Sequence, residues 1–88
     1  MPNIVTANHL RSGEVVYLGK GDAWVRELSG ARVAMSKAET EALEAIAHRA
    51  AAEQIVTGQY AMDVALVDGQ PIPLSVRERI RARQKLTD

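Results

Sequence analysis

The sequence predicts a small α+β domain in which an antiparallel sheet of about four strands packs on one long helix. Three observations predict it: β-branched runs separated by glycine turns, one alanine-rich segment without Gly or Pro, and a further apolar run after that segment. A chain of 88 residues has room for one hydrophobic core. We therefore expect residues 1–88 to form a single domain.

The first strands are expected to form a β-meander. Residues 3–10 are rich in β-branched and apolar side chains, and the turn signal Ser12-Gly13 separates them from a second apolar run at 14–18. The glycine-rich segment 19–22 predicts another tight turn before a third strand at 23–28. Residues 32–34 can add a short edge pairing.

The long helix is predicted for residues 37–54. Ser36 and Glu39 have the S-x-x-E spacing of a capping box, and Thr57-Gly58 is typical of a helix end. At 100° per residue, four side chains share the face expected to pack on the sheet: Ala42, Leu43, Ile46 and Ala50. Four others share the opposite face: Lys37, Glu41, Glu44 and His48.

The C-terminal third predicts one more strand and a short helix. The apolar run at 59–67 predicts a strand that ends at Asp68-Gly69. Pro71 and Pro73 predict a loop after it. Ser75 and Glu78 repeat the capping-box spacing, which predicts a short C-terminal helix to about residue 83.

Composition excludes several classes of protein. The chain is 47% hydrophobic and has no cysteine, so it is expected to fold without disulfides or thiolate-bound metals. It has no apolar run of roughly 18 residues and no export signal at its N-terminus, which predicts a cytoplasmic protein. The formal net charge is zero, although residues 75–87 carry five cations and one acid.

Few side chains suggest chemistry. His9 and His48 have no partner at the spacing of metal ligands, so no metal site is expected, and His48 is expected to pair with Glu44 on the helix surface. The sequence contains neither a phosphate-binding glycine loop nor a nucleophile motif, so we expect no cofactor and no enzymatic activity. Asn8, His9 and Tyr60 can instead line a pocket.

Two groups of residues are candidates for partner binding. Tyr17, Trp24 and Tyr60 are the aromatic residues, and they either fill the core or form an exposed aromatic face. The second group is the arginines of the predicted C-terminal helix: Arg77, Arg79, Arg81 and Arg83. These form a solvated face, or they bind an acidic protein patch. Nucleic acid fits them less well, because no aromatic residues for base stacking are interleaved.

A family resemblance rests on residues spread over nearly the whole chain: the runs 4–10 and 13–18, Trp24, Tyr60, Asp63-Val64 and Arg77-Glu78-Arg79-Ile80-Arg81. The chain resembles a small proteobacterial family of unknown function whose members are often encoded beside assimilatory sulfite reductase and sirohaem-synthesis genes. The resemblance implies a place in sulfur assimilation, with sulfite reductase or its electron donor as the partner.

The sequence therefore leads to three hypotheses about function. The first is a non-catalytic accessory module that binds a protein through the arginine helix and an exposed aromatic face. The second is a small-molecule or anion-binding domain in which Asn8, His9 and the tyrosines line the pocket and an arginine meets the anion. The third is nucleic-acid binding through the C-terminal arginines.

Overall fold

The computed structural model describes residues 2–74, which form five strands and one long helix. The elements are β1 (Asn3–His9), β2 (Val15–Leu18), β3 (Trp24–Val25), α1 (Lys37–Ala52), β4 (Val56–Val67) and β5 (Gln70–Pro73). All strand pairs are antiparallel, in the order β3-β2-β1-β4-β5. The α+β class is confirmed, with five strands rather than four. The predicted C-terminal helix and its four arginines lie outside the described residues.

The predicted meander is confirmed, with a shorter third strand. β1 and β2 form a hairpin, and β3 pairs with β2 over two residues, since the chain enters a 3₁₀ turn at Leu28–Gly30. A first 3₁₀ turn, Lys20–Asp22, occupies the predicted glycine turn. The predicted edge pairing also forms, because the backbones of Asn3 and Ala34 exchange two hydrogen bonds of 2.9 and 2.7 Å.

The start of α1 follows the capping-box prediction. The Ser36 hydroxyl accepts a hydrogen bond from the Glu39 N–H at 3.2 Å, which satisfies one of the open donors of the first turn. The Glu39 carboxylate reaches back one residue further than the motif requires and accepts from the Met35 N–H at 3.4 Å. Serine and glutamate together therefore fix the first residue of the helix.

The end of α1 differs from the prediction. Gln54, at φ 63°, takes the left-handed position after the helix, and the Gln54 and Ile55 N–H groups donate to the Ala51 and Ala50 carbonyls at 3.0 Å each. This is the Schellman arrangement, usually made with glycine.

Gly58, the predicted helix end, lies inside β4, at φ 62°. The β1–β4 register shifts there, so two residues of β4 lie opposite Ala7 in a β-bulge.

The buried face of α1 is rotated relative to the predicted one. The side chains that face inward are Thr40, Leu43, Ala47 and Ala50, while Ile46 is half-buried and Ala42 is exposed. Thr40 can be buried because its hydroxyl donates to the Asn3 side-chain carbonyl or the Ser36 backbone carbonyl, at 3.0 and 3.1 Å. In the part of the chain that the structure describes, no helix is long and apolar enough to span a bilayer.

The core lies between α1 and the inner face of the sheet. It consists of two adjoining groups of buried side chains: Val5, Leu18, Ala34, Leu43 and Ala47 in the first, and Ala7, Val16, Ala50 and Val56 in the second. Trp24 packs against both groups. The alanines on α1 let the helix approach the sheet closely, as their number in the sequence indicates.

The C-terminal strands also depart from the prediction. Asp68 and Gly69 both have positive φ, which is the geometry of a two-residue hairpin turn between β4 and β5. Pro71 and Pro73 belong to β5 rather than to a loop. Both prolines lie at non-hydrogen-bonded pairs of the β4–β5 register. The N–H groups that proline lacks would not have bonded to β4, so no hydrogen bond between the two strands is lost.

The sheet is curled. β5 contacts the second 3₁₀ turn, which follows β3 at the opposite edge of the sheet. Ile4 and Val64 lie on the face away from α1 by strand alternation, yet both are fully buried. The curl therefore buries part of the outer face.

Candidate functional site

The structure separates His9 from the other two residues of the predicted pocket, Asn8 and Tyr60. Asn8 and His9 are neighbours in β1, so their side chains point to opposite faces of the sheet. Asn8 is exposed and lies opposite Thr57. His9 is on the face of the sheet that packs on α1, where it lines two clefts at the end of β1. Tyr60 lies opposite Thr6, three positions along β4 from Thr57.

The aromatic residues divide between the two faces of the sheet. Tyr17 and Tyr60 lie on either side of Thr6 on the outer face, where Tyr60 is 59% exposed. Trp24 pairs with Leu18, a residue of the core under α1, so its indole is on the inner face. The three rings therefore do not form one aromatic face.

Three shallow clefts adjoin one another, and two of them border Trp24. Their volumes are about 210, 380 and 180 Å³, and they are joined by the residues that they share, which are His9, Trp24, Glu53 and Ile55. We call these three clefts together the Trp24 surface. Its other lining residues come from the β1–β2 turn, the strand ends and the last turns of α1: Arg11, Ser12, Glu14, Val16, Asp22, Arg26, Ile46, Arg49, Ala50 and Gln54.

Hydrogen bonds in the β1–β2 turn fix one wall of the Trp24 surface. The turn is closed by His9 N–H to Glu14 carbonyl at 2.8 Å, and the Ser12 hydroxyl accepts from the Glu14 N–H at 3.2 Å. The Ser12 hydroxyl also lies 3.4 Å from His9 Nδ1. Glu14 forms an ion pair with Arg26 at 2.8 Å, and both side chains are solvent-exposed. This ion pair holds the Glu14 and Arg26 side chains together at the edge of the cleft. Its contribution to the free energy of unfolding is small, about 0–1 kcal/mol.

A fourth cleft lies between α1 and β4, and we call it the seam cleft. It has a volume of about 290 Å³ and is lined by Val5, Glu44, Ala47, His48, Gln59, Tyr60 and Ala61. The bulge at Gly58 places Gln59 on the side of β4 that faces α1, where Gln59 Nε2 lies 3.1 Å from His48 Nδ1. His48 therefore contacts Gln59, and the expected ion pair with Glu44 is not present among the described residues.

Sequence reasoning missed the residues that complete these clefts. Ile55 follows α1, and its contribution depends on the Schellman turn at Gln54, a residue that carries no turn signal. Gln59 was detectable in part, because a glycine inside a strand pattern indicates a bulge that redirects the next side chain. Among residues 2–74, no three His, Cys, Asp or Glu side chains cluster as metal ligands.

Comparison with known proteins gives a family and no function. A family model described as "Protein of unknown function (DUF2849)" matches residues 3–83. No curated protein and no solved structure matches the chain.

Proposed function

Because the chain belongs to the DUF2849 family, whose function is unknown, we propose a function from its own geometry: a non-catalytic module that binds a partner protein through the Trp24 surface. The observation that carries this proposal is that two shallow clefts border one half-buried tryptophan, and a third adjoins both of them. Tryptophan is among the residues that contribute most to the binding energy of protein interfaces.

The apolar part of the Trp24 surface suits side chains of a partner. Trp24 borders two of the clefts, and Ile55 borders two and is 40% exposed. Leu10, which is 49% exposed, lies next to Ile55 because the Leu10 N–H donates to the Ile55 carbonyl at 3.0 Å. An anchored aromatic ring beside exposed aliphatic side chains is the arrangement found at the centre of protein interfaces.

The charged rim favours a protein over a nucleic acid. Three cations, Arg11, Arg26 and Arg49, line the Trp24 surface, and three acids line it as well: Asp22, Glu14 and Glu53. A phosphate backbone is bound by an excess of cations, whereas charges of both signs match the mixed surface of another protein. Nucleic acid is thus disfavoured at this surface.

The finer part of the proposal concerns the partner. The gene neighbourhood that the resemblance implies makes assimilatory sulfite reductase or its electron donor the partner to test first. The arginines of the C-terminal segment, Arg77, Arg79, Arg81 and Arg83, supply a second contact in this proposal, to an acidic patch on the same protein. A cysteine-free module of this size then assists docking or assembly and carries out no chemistry of its own.

The test is direct binding by biolayer interferometry, with the full chain immobilised and sulfite reductase and its donor applied separately. Ile55→Arg places a charge in the apolar part of the Trp24 surface and is expected to weaken binding by about tenfold or more. Met35→Arg is the matched control, since Met35 is 59% exposed and lies outside the three clefts. Its affinity should equal that of the unmodified chain.

The outcomes separate the two parts of the proposal. If neither protein binds, the link to sulfite reduction is wrong. If one binds and Ile55→Arg behaves like Met35→Arg, the Trp24 surface is not the interface. Replacing the four C-terminal arginines by glutamine should weaken binding most at low salt, and unchanged affinity in that variant would remove the second contact.

A further inference from the structure

We propose that the seam cleft binds a cation carried on a short alkyl chain: the ammonium or guanidinium group of a small amine, or of a lysine or arginine side chain. This site lies between α1 and β4 and shares no lining residue with the Trp24 surface. The proposal therefore does not rest on the proposed function.

The charge of the cleft selects a cation. Glu44 is the only one of the described lining residues that carries a formal charge at neutral pH. Its side chain is half-buried beside the apolar floor, where the lower dielectric strengthens its attraction for a positive group. A carboxylate ligand would instead be repelled by Glu44.

The His48–Gln59 contact supplies a second acceptor. Gln59 Nε2 lies 3.1 Å from His48 Nδ1, and with histidine in the Nε2-protonated tautomer the Gln59 amide N–H donates this bond. The Gln59 carbonyl oxygen then remains to accept from a ligand. An ammonium or guanidinium group carries several N–H donors, which the Glu44 carboxylate and the Gln59 carbonyl can share.

The floor of the cleft sets the size of the ligand. Val5 and Ala47 are almost completely buried, and Ala61 lies opposite Val5 in the β1–β4 register. The small side chains of Ala47 and Ala61 leave the space of about 290 Å³ between helix and strand. Sites for drug-sized ligands begin at about this volume, so a chain of a few carbon atoms fits better than a larger ring system.

The test is an NMR titration of the full chain with n-butylammonium at constant ionic strength, following the backbone amides of Ala47, Gln59 and Ala61. We expect saturable shifts with a dissociation constant of about 1 mM, as for other ligands with so few atoms. Butyrate and n-butanol, which have the same alkyl chain without the positive charge, should bind at least about tenfold more weakly.

Two variants control the assignment. Glu44→Gln should weaken butylammonium binding by about tenfold, because it removes the charge and keeps the shape of the side chain. Glu41→Gln is the matched control, since Glu41 is exposed on the same helix and does not line the cleft. If the two variants bind equally, or if butyrate binds as well as butylammonium, the cation site is refuted.

A capped Gly-Lys-Gly peptide distinguishes the two sources of the cation. Tighter binding of the peptide than of butylammonium at the same three amides assigns the site to a side chain of a partner protein. Binding of butylammonium without the peptide assigns it to a free small molecule. Failure of both probes to shift these amides overturns the proposal.

Discussion

Replacing Gln54 by glycine should stabilise the protein. Gln54 has φ 63° in the Schellman turn, and the left-handed conformation costs a residue with a side chain about 1–2 kcal/mol. Glycine avoids this cost but loses more backbone entropy on folding, about 0.5–1 kcal/mol. From the middle of each range, the expected net gain is about 0.75 kcal/mol, which corresponds to a rise in Tm of about 3–6 °C for a domain of this size.

The neighbouring residue provides the control. Glu53 is also exposed, but its φ is −85°, a value that any residue adopts, so Glu53→Gly brings the entropic cost of glycine without any relief of strain. The removal of an exposed carboxylate from the C-terminal end of α1 offsets only about 0.3 kcal/mol of this cost. We expect the Tm of Glu53→Gly to fall, and we expect Gln54→Ala to change the Tm by less than either glycine variant because alanine keeps the strain. Thermal unfolding followed by circular dichroism measures all three. A lowered Tm in Gln54→Gly, comparable with that of Glu53→Gly, would refute the reasoning.

Three further substitutions test separate parts of the fold by urea denaturation. Ser36→Ala removes the cap of α1 and should cost about 1 kcal/mol, whereas Ser29→Ala, at an exposed serine in a 3₁₀ turn, should change stability by less than half of that. Thr6→Val breaks the buried hydrogen bond of 2.9 Å to the Val16 carbonyl and should cost about 1–3 kcal/mol, and a smaller loss would show that water replaces the hydroxyl. Gly19→Ala should cost about 1–3 kcal/mol, because its Cβ would lie 2.9 Å from the Gly30 backbone carbonyl. Gly30→Ala should cost less, since its Cβ would meet the Val25 side chain at 3.2 Å, and the reverse order would contradict the packing.

Much of the fold was predictable because local signals and tertiary structure agree. The β1–β2 hairpin and the cap at Ser36 depend on residues close in sequence, and both appear where the sequence predicts them. The errors arise where a residue has an unusual role. Gln54 ends α1 in a conformation normally given to glycine, so Gly58 was misread as the helix end. Pro73 lies in an edge strand, where the missing N–H is tolerated.

The candidate sites were less predictable than the fold. His9 and Trp24 were each identified as candidates, but their meeting in one cleft depends on the order β3-β2-β1, which the sequence does not encode locally. The seam cleft depends on the rotation of α1 about its axis. The observed buried face of α1 includes Ala47, whereas the predicted one included Ala42. With this rotation Glu44 and His48 lie beside β4 and line the cleft, and they do not point directly into solvent as predicted.

The two prolines of β5 have a consequence for assembly. Pro71 and Pro73 lie at non-hydrogen-bonded pairs, so their backbone nitrogen and carbonyl groups face the side of β5 opposite β4. Any other residue would present an N–H donor on that side. Proline has none, so a strand from another molecule finds carbonyl groups there without matching donors. Two of the four residues of β5 therefore offer no donor to an added strand, which disfavours edge-to-edge pairing of copies of this protein through β5.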